Sequence, residues 1–242
     1  MNATVAQLTA RSLLGRRRVL LLMALPGVLL LLAAAARSLV GQNQDITVAL
    51  LGGFALATLV PLVGLIAGTG VIGPEIDDGS IVYLLSKPLS RFTIVITKFA
   101  IAIGVVTVFA ALGTLFAGLI LSGLSDGLTV GYALGALVAG ISYCALFLLL
   151  AVLTRHAVVV GLLYALIWES LVGSFVPGAQ VLSIQQWTLA GIEKVVGDHA
   201  DELGVSSAVS LGAAIPLLLV VIVGGTWFAG WRLRTLRLTS DE

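Results

Sequence analysis

Charge is scarce in this chain. Asp, Glu, Lys and Arg make up 10% of its 242 residues, where soluble domains carry about 25%. Lysine is limited to Lys87, Lys98 and Lys194, and none stands in a Gly-Lys-Ser/Thr phosphate loop. Any ATP-driven activity therefore needs its ATPase on another chain. His156 and His199 are the only histidines and Cys144 the only cysteine. No spacing among them suits zinc, and one cysteine excludes an intrachain disulfide. Cys144 lies in an apolar run and reads as a buried, inert thiol. Acids well inside apolar runs are nearly missing too, with Glu169 the single case.

Apolar residues fill the space that charge leaves, at 59% of the chain with a mean hydropathy of +1.14. A helix needs about 20 such residues to cross a bilayer, and shorter or longer runs of about 17–25 also serve. Six runs qualify: residues 19–36, 46–73, 99–122, 129–153, 157–175 and 211–231. The sequence thus predicts an all-α integral membrane protein of six transmembrane helices, one domain over residues 1–242. Residues 1–18 form a cytosolic or interfacial lead, and residues 176–210 the longest outer loop. A cleaved leader is the rival reading of the first run, which follows Arg16-Arg17-Arg18. Pro26-Gly27 should kink that run.

The few cations are unevenly placed. Eleven of the thirteen Lys and Arg fall in residues 1–18, residues 74–98, the turn at Arg155 and the tail after residue 231. Only Arg37 and Lys194 fall on the other side. Positive loops stay cytosolic, so both termini and residues 74–98 should face the cytosol across the plasma membrane.

Several smaller patterns carry two readings each. Gly64-x-x-x-Gly68 and Gly131-x-x-x-Gly135 let helix backbones approach closely, though 28 glycines produce such pairs by chance as readily. Residues 187–196 could form a short helix lying at the interface. Gly123-Leu124-Ser125-Asp126-Gly127 matches the nucleophile-elbow pattern of serine hydrolases, with His199 as a base on the same side. It also matches an ordinary helix-hairpin turn. Arg155-His156 reads as an interfacial anchor. Glu169 lies fourteen residues beyond Arg155, about 21 Å at about 1.5 Å per residue, in the outer part of the membrane. A carboxylate there must avoid lipid. It is either a structural hydrogen-bond partner or, with Trp168 and Tyr164, a contact on a substrate path or gate. Tyr164, five residues earlier, need not share its face.

The densest charge lies in residues 74–98, which hold Glu75, Asp77, Asp78, Lys87, Arg91 and Lys98 between two long apolar runs. Asp77-Asp78-Gly79 suggests a turn and Ser80 an N-cap. Lys87-Pro88 should end the short helix that follows, and Ser90 should cap the next. The apolar residues Ile81, Val82, Tyr83, Leu84 and Leu85 then project from the membrane and need cover. Lipid headgroups and a groove on a soluble partner serve equally well on physical grounds.

The order Glu75-x-x-x-Gly79-Ser80-Ile-Val-Tyr83-Leu84-Leu85-Ser-Lys-Pro88-Leu-Ser-Arg91, followed by Lys98 at the head of a span, resembles the signature of permeases of ATP-binding cassette exporters of the second type. The resemblance extends to span number and loop placement. It implies one half of a type V exporter, with a cytosolic coupling helix between the second and third spans. Glu75, Gly79, Ser80, Tyr83, Leu84, Leu85, Pro88 and Arg91 would then serve ATPase coupling, with Arg155-His156 as a possible second contact. It also implies a separate ABC ATPase subunit that holds ATP and Mg, no cofactor or catalysis in this chain, and a second permease copy or paralogue. Low wall charge points to lipophilic or amphipathic cargo such as a drug, antibiotic or lipid. An ion-coupled secondary transporter is the alternative, but it needs intramembrane ionisable groups and only Glu169 qualifies. An outer-face serine hydrolase at Ser125 is a further one.

Overall fold

A computed structural model describes residues 3–77, 90–124, 127–172, 178–197, 200 and 202–235. In hydrocarbon every backbone N–H and C=O must be paired within the chain, and a helix does this locally. Every regular element among the described residues is accordingly helical. The first two are α1, Ala3–Leu13, and α2, Arg16–Val40. Next come α3, Gln44–Ile76, and α4, Arg91–Leu121. They are followed by α5, Leu128–Leu153, and α6, Ala157–Glu169. The last two are α7, Ile184–Val196, and α8, Leu211–Leu233.

Five of these, α2, α3, α4, α5 and α8, are long and apolar enough to cross a membrane. The α6 helix is apolar but shorter. It continues to Val172 as a wider π-type coil, and residues 173–177 of the expected fifth span lie outside the described residues. Among the described residues, then, five spans meet the length that the sequence led us to expect of six.

The core sits around α5, the most buried of the five, with 61% of its central window inside the bundle against 17% for α8. It packs against α3, α4, α7 and α8. Glycine makes the closest of these contacts possible. A Cβ at Gly64 would lie 2.8 Å from Tyr143 Cβ, and one at Gly68 would lie 2.8 Å from the Cys144 carbonyl oxygen. The first small-residue pair is therefore a real helix contact. The second pair serves a different partner. Gly131 and Gly135 face Ile192, Val196 and Thr188 of α7.

That contact corrects the expectation for residues 187–196. Gly135 meets Thr188 and Ile192, Gly131 meets Ile192 and Val196, and Gly127 lies beside Val195 and Val196. The order runs against α5, so α7 stands antiparallel along it instead of lying flat. The cause is a groove without Cβ atoms on α5, matched to an apolar face of α7 that buries Ile184, Trp187 and Ile192.

Prolines coincide with widened coils. Pro61 follows the π-type stretch Ala49–Leu59, and Pro216 precedes the one at Val220–Gly224. A proline removes one helical hydrogen bond, and at Pro61 the widened coil just before it re-pairs the carbonyls of the preceding turn. Pro26 stays inside α2, where Gly113 of α4 leaves room for its ring.

The bundle has two distinct ends. At one, α1 packs on α4, Arg18 reaches the Gly70 carbonyl at 3.5 Å and Arg91 reaches the Leu233 carbonyl at 2.6 Å. At the other, Arg37 donates to the Leu121 carbonyl at 3.1 Å, and α7 packs on the first turns of α5.

Substituting Gly68 by Ala should cost about 1–3 kcal/mol, the usual range for overpacking. The effect should appear as a lower thermal unfolding midpoint in detergent. Gly104→Ala is the control, because nothing lies within 4 Å of its Cβ position, and its midpoint should not fall. Equal midpoints for the two variants would contradict the α3–α5 contact.

Candidate functional site

The charged end of the bundle is organised by Lys98. The side chain lies about two turns into α4 and is 0% exposed. Three groups take its three ammonium protons. Glu75 Oε1 accepts at 2.6 Å, the Val71 carbonyl at 2.5 Å and Thr9 Oγ1 at 3.4 Å. Glu75 sits in the short helix Gly73–Asp77 that closes α3, and 29% of its side chain is exposed. A buried ammonium is costly unless it is paired and fully hydrogen-bonded, and here it is both.

The chain between these partners is the charged segment singled out in the sequence. Residues 78–89 leave directly after Glu75 and return at Ser90, so the ion pair fastens the two roots of that segment to each other. Thr9 adds α1 to the same knot. Beside it, Ser90 caps α4 by accepting from the Thr93 N–H at 3.2 Å, as the sequence led us to expect. Arg91 caps the far end of α8 through the Leu233 carbonyl. Of the proposed coupling residues, Glu75 and Arg91 are thus placed at the roots. Gly79, Ser80, Tyr83, Leu84, Leu85 and Pro88, and with them the expected coupling helix, lie outside the described residues.

The opposite end holds the second cluster. Glu169 is fully buried. Its Oε1 accepts from the Tyr164 hydroxyl at 3.2 Å and the Ile184 N–H at 3.0 Å, and its Oε2 accepts from the Ser183 hydroxyl at 2.5 Å. The carboxylate thereby meets the N-terminus of α7, where negative charge is favoured. Tyr164 does share its face. The reason is the π-type coil over Tyr164–Val172, whose i→i+5 winding brings residues five apart together. Trp168 turns its indole N–H toward the Leu182 carbonyl at 3.5 Å. At the hairpin between α4 and α5, Gly123 and Gly127 both take positive φ, which suits a tight turn. Ser125, Asp126 and His199 lie outside the described residues.

The sequence did not reveal the Glu75–Lys98 pairing or the part played by Thr9. The one signal it held was an acid and a base just outside two successive apolar runs. Helices joined by a short connection bring such ends together.

The pair makes a quantitative prediction. Glu75→Gln leaves the Lys98 charge buried with a weaker partner and should cost about 3 kcal/mol or more, whereas Glu75→Gln with Lys98→Met should recover most of that loss. Thermal unfolding of the single and double variants in detergent measures both. If the two losses simply add, the residues are not coupled.

A family model described as ABC-2 family transporter protein matches residues 4–228. No match was found among curated proteins. The matched stretch holds both ends of the Lys98 clamp, the Glu169 cluster and every helix up to the last turns of α8, and the chain belongs to the ABC-2 family of transporter proteins.

Proposed function

We propose that this chain is the membrane subunit of an ATP-driven exporter, with hydrolysis carried out by a separate ABC ATPase. The observation that supports this most directly is the Glu75–Lys98 clamp at the root of residues 78–89. A segment that receives force from a soluble partner needs stiff roots, and an ion pair whose ammonium is buried and bonded to three acceptors supplies them. In this reading α6 and the residues after it make a sixth crossing, and both termini face the cytosol of a cell whose plasma membrane holds the protein. A second permease copy or a paralogue completes the path. The cargo is lipophilic or amphipathic, in keeping with walls that carry few charges. ATP does the driving, because a ligand shifts an equilibrium only through different affinities for the two states.

Docking is testable at the segment itself. Burying Leu84 and Leu85 against the ATPase should contribute about 1.5–3 kcal/mol each. Leu84→Asp with Leu85→Asp should therefore release a co-expressed ATPase while the permease still reaches the membrane. Undiminished co-purification would refute the docking reading.

For Glu169 we favour a joint between α6 and α7 over a cargo contact. Three donors occupy its oxygens, and no part of it is exposed. Glu169→Gln should lower the unfolding midpoint, since a hydrogen bond to a charged group is worth about 1.5–3 kcal/mol. Export per folded protein should stay near wild type. Lost export at an unchanged midpoint would restore the pathway role for Glu169, Trp168 and Tyr164.

A further inference from the structure

At the charged end, a cavity of about 230 Å³ opens between the start of α2, the end of α3 and the α5–α6 turn. Arg18, Arg155 and His156 line it, with Thr154 beside them, and no carboxylate lines it among the described residues. Arg18 is steadied from behind by the Gly70 and Ser12 carbonyls, both at 3.5 Å. Arg155 and His156 are exposed on the turn, where their donors can reach a ligand. Guanidinium groups offer forked donors that match phosphate oxygens, and an imidazole adds a further N–H. The cavity thus selects an anion with several oxygens.

Its lower wall is of the opposite kind. Val158 and Val159 complete the lining, and they are 58% and 57% exposed. Val160, Leu162 and Leu163 extend that exposed apolar face along α6. A soluble anion has no use for such a wall, and an acidic peptide would leave it bare. An acyl chain would cover it. We propose that this cavity binds the phosphate headgroup of an anionic phospholipid, whose chain lies on α6. Basic pockets between transmembrane helices at the cytosolic interface take such headgroups in general. The cavity also borders Gly73 and Pro74, just before Glu75, so the lipid would sit beside the Glu75–Lys98 pair. The inference needs the membrane embedding only and does not rest on the exporter reading.

The test uses the full chain in detergent and native mass spectrometry, with phosphatidylglycerol and phosphatidylcholine as probes and inorganic phosphate as competitor. Wild type should retain phosphatidylglycerol in preference to phosphatidylcholine, and inorganic phosphate should not displace it. Arg155→Ala should lower that preference about fivefold, the effect of about 1 kcal/mol for one basic group. His156→Ala should lower it as well, and it stands in should Arg155→Ala fail to fold. Lys194→Ala, at the other end, should not change it. Equal retention of the two lipids by wild type, or an unchanged preference in the folded cavity variants, overturns the proposal. So does an equal loss in Lys194→Ala, which would mark unspecific charge. Displacement by inorganic phosphate would assign the cavity to a free anion. If Arg155→Ala releases a co-expressed ATPase yet keeps the lipid, the cavity is a protein-docking site and the lipid proposal is wrong.

Discussion

Hydrocarbon surrounds an apolar helix as comfortably as another helix does, so the hydrophobic effect cannot hold this bundle together. What remains is close packing, and that depends on how near two backbones can come. Gly64 and Gly68 bring α3 against α5 at Tyr143, Cys144 and Phe147. Gly225 brings α8 against the Ala145 carbonyl on the same helix. Gly131 and Gly135 do the same for α7 nearer the other end. With α3, α7 and α8 all seated on α5, the positions of both polar clusters follow. Glu75 is carried by the end of α3, and Ser183 and Ile184 by the start of α7.

The helix ends pose the second problem, because each leaves carbonyls without partners. Arginines from other spans meet this need three times. Arg18 reaches Gly70 at the end of α3, Arg37 reaches Leu121 at the end of α4, and Arg91 reaches Leu233 at the end of α8. A cation is favoured at a helix C-terminus, so each contact pairs an orphan acceptor with the field that suits it. Each also ties the start or end of one span to the end of another. Arg18 and Arg91, from the cation-rich side of the chain, thus double as ties between helices, and Arg37 does the same at the other end. Lys98 extends the device inward, with Val71 as its carbonyl.

Much of this was legible in the sequence, and the rest failed for identifiable reasons. Long apolar runs gave the helices, because length and hydropathy decide membrane crossing with little help from context. Ser90 was readable as a cap because its role is local. Gly64 and Gly68 were ambiguous, since spacing shows that a close approach is allowed and not that it occurs. Helix α7 was misplaced because an amphipathic stretch fits an interface and a protein groove equally well. Only the bare face of α5 distinguishes them. Tyr164 was set apart from Glu169 by counting 3.6 residues per turn, and the wider coil there breaks that count. The Lys98 knot joins residues 9, 71, 75 and 98, and no local pattern encodes such a meeting.

The placement of the widened coils bears on how motion could travel. Lys98 ties α1, α3 and α4 rigidly at the charged end, and Arg91 adds α8. Under the exporter reading, force on residues 78–89 enters all four together and cannot bend the roots first. The same spans carry π-type coils farther along, at Ala49–Leu59 in α3, Thr107–Ala111 in α4 and Val220–Gly224 in α8. Helix α5 is α-helical throughout Leu128–Leu153. Such coils are where a helix can change direction, because their hydrogen bonds are already displaced from the α pattern. A stiff root, an unbroken α-helical central post and surrounding spans with a soft stretch beyond the root would, under that reading, let the spans bend while the root itself keeps its shape. The coil of α3 packs against the one at Tyr164–Val172 that carries Glu169, so under the exporter reading a bend in α3 would act on the second polar cluster directly, while the Lys98 knot at the other end of the same helix stays fixed.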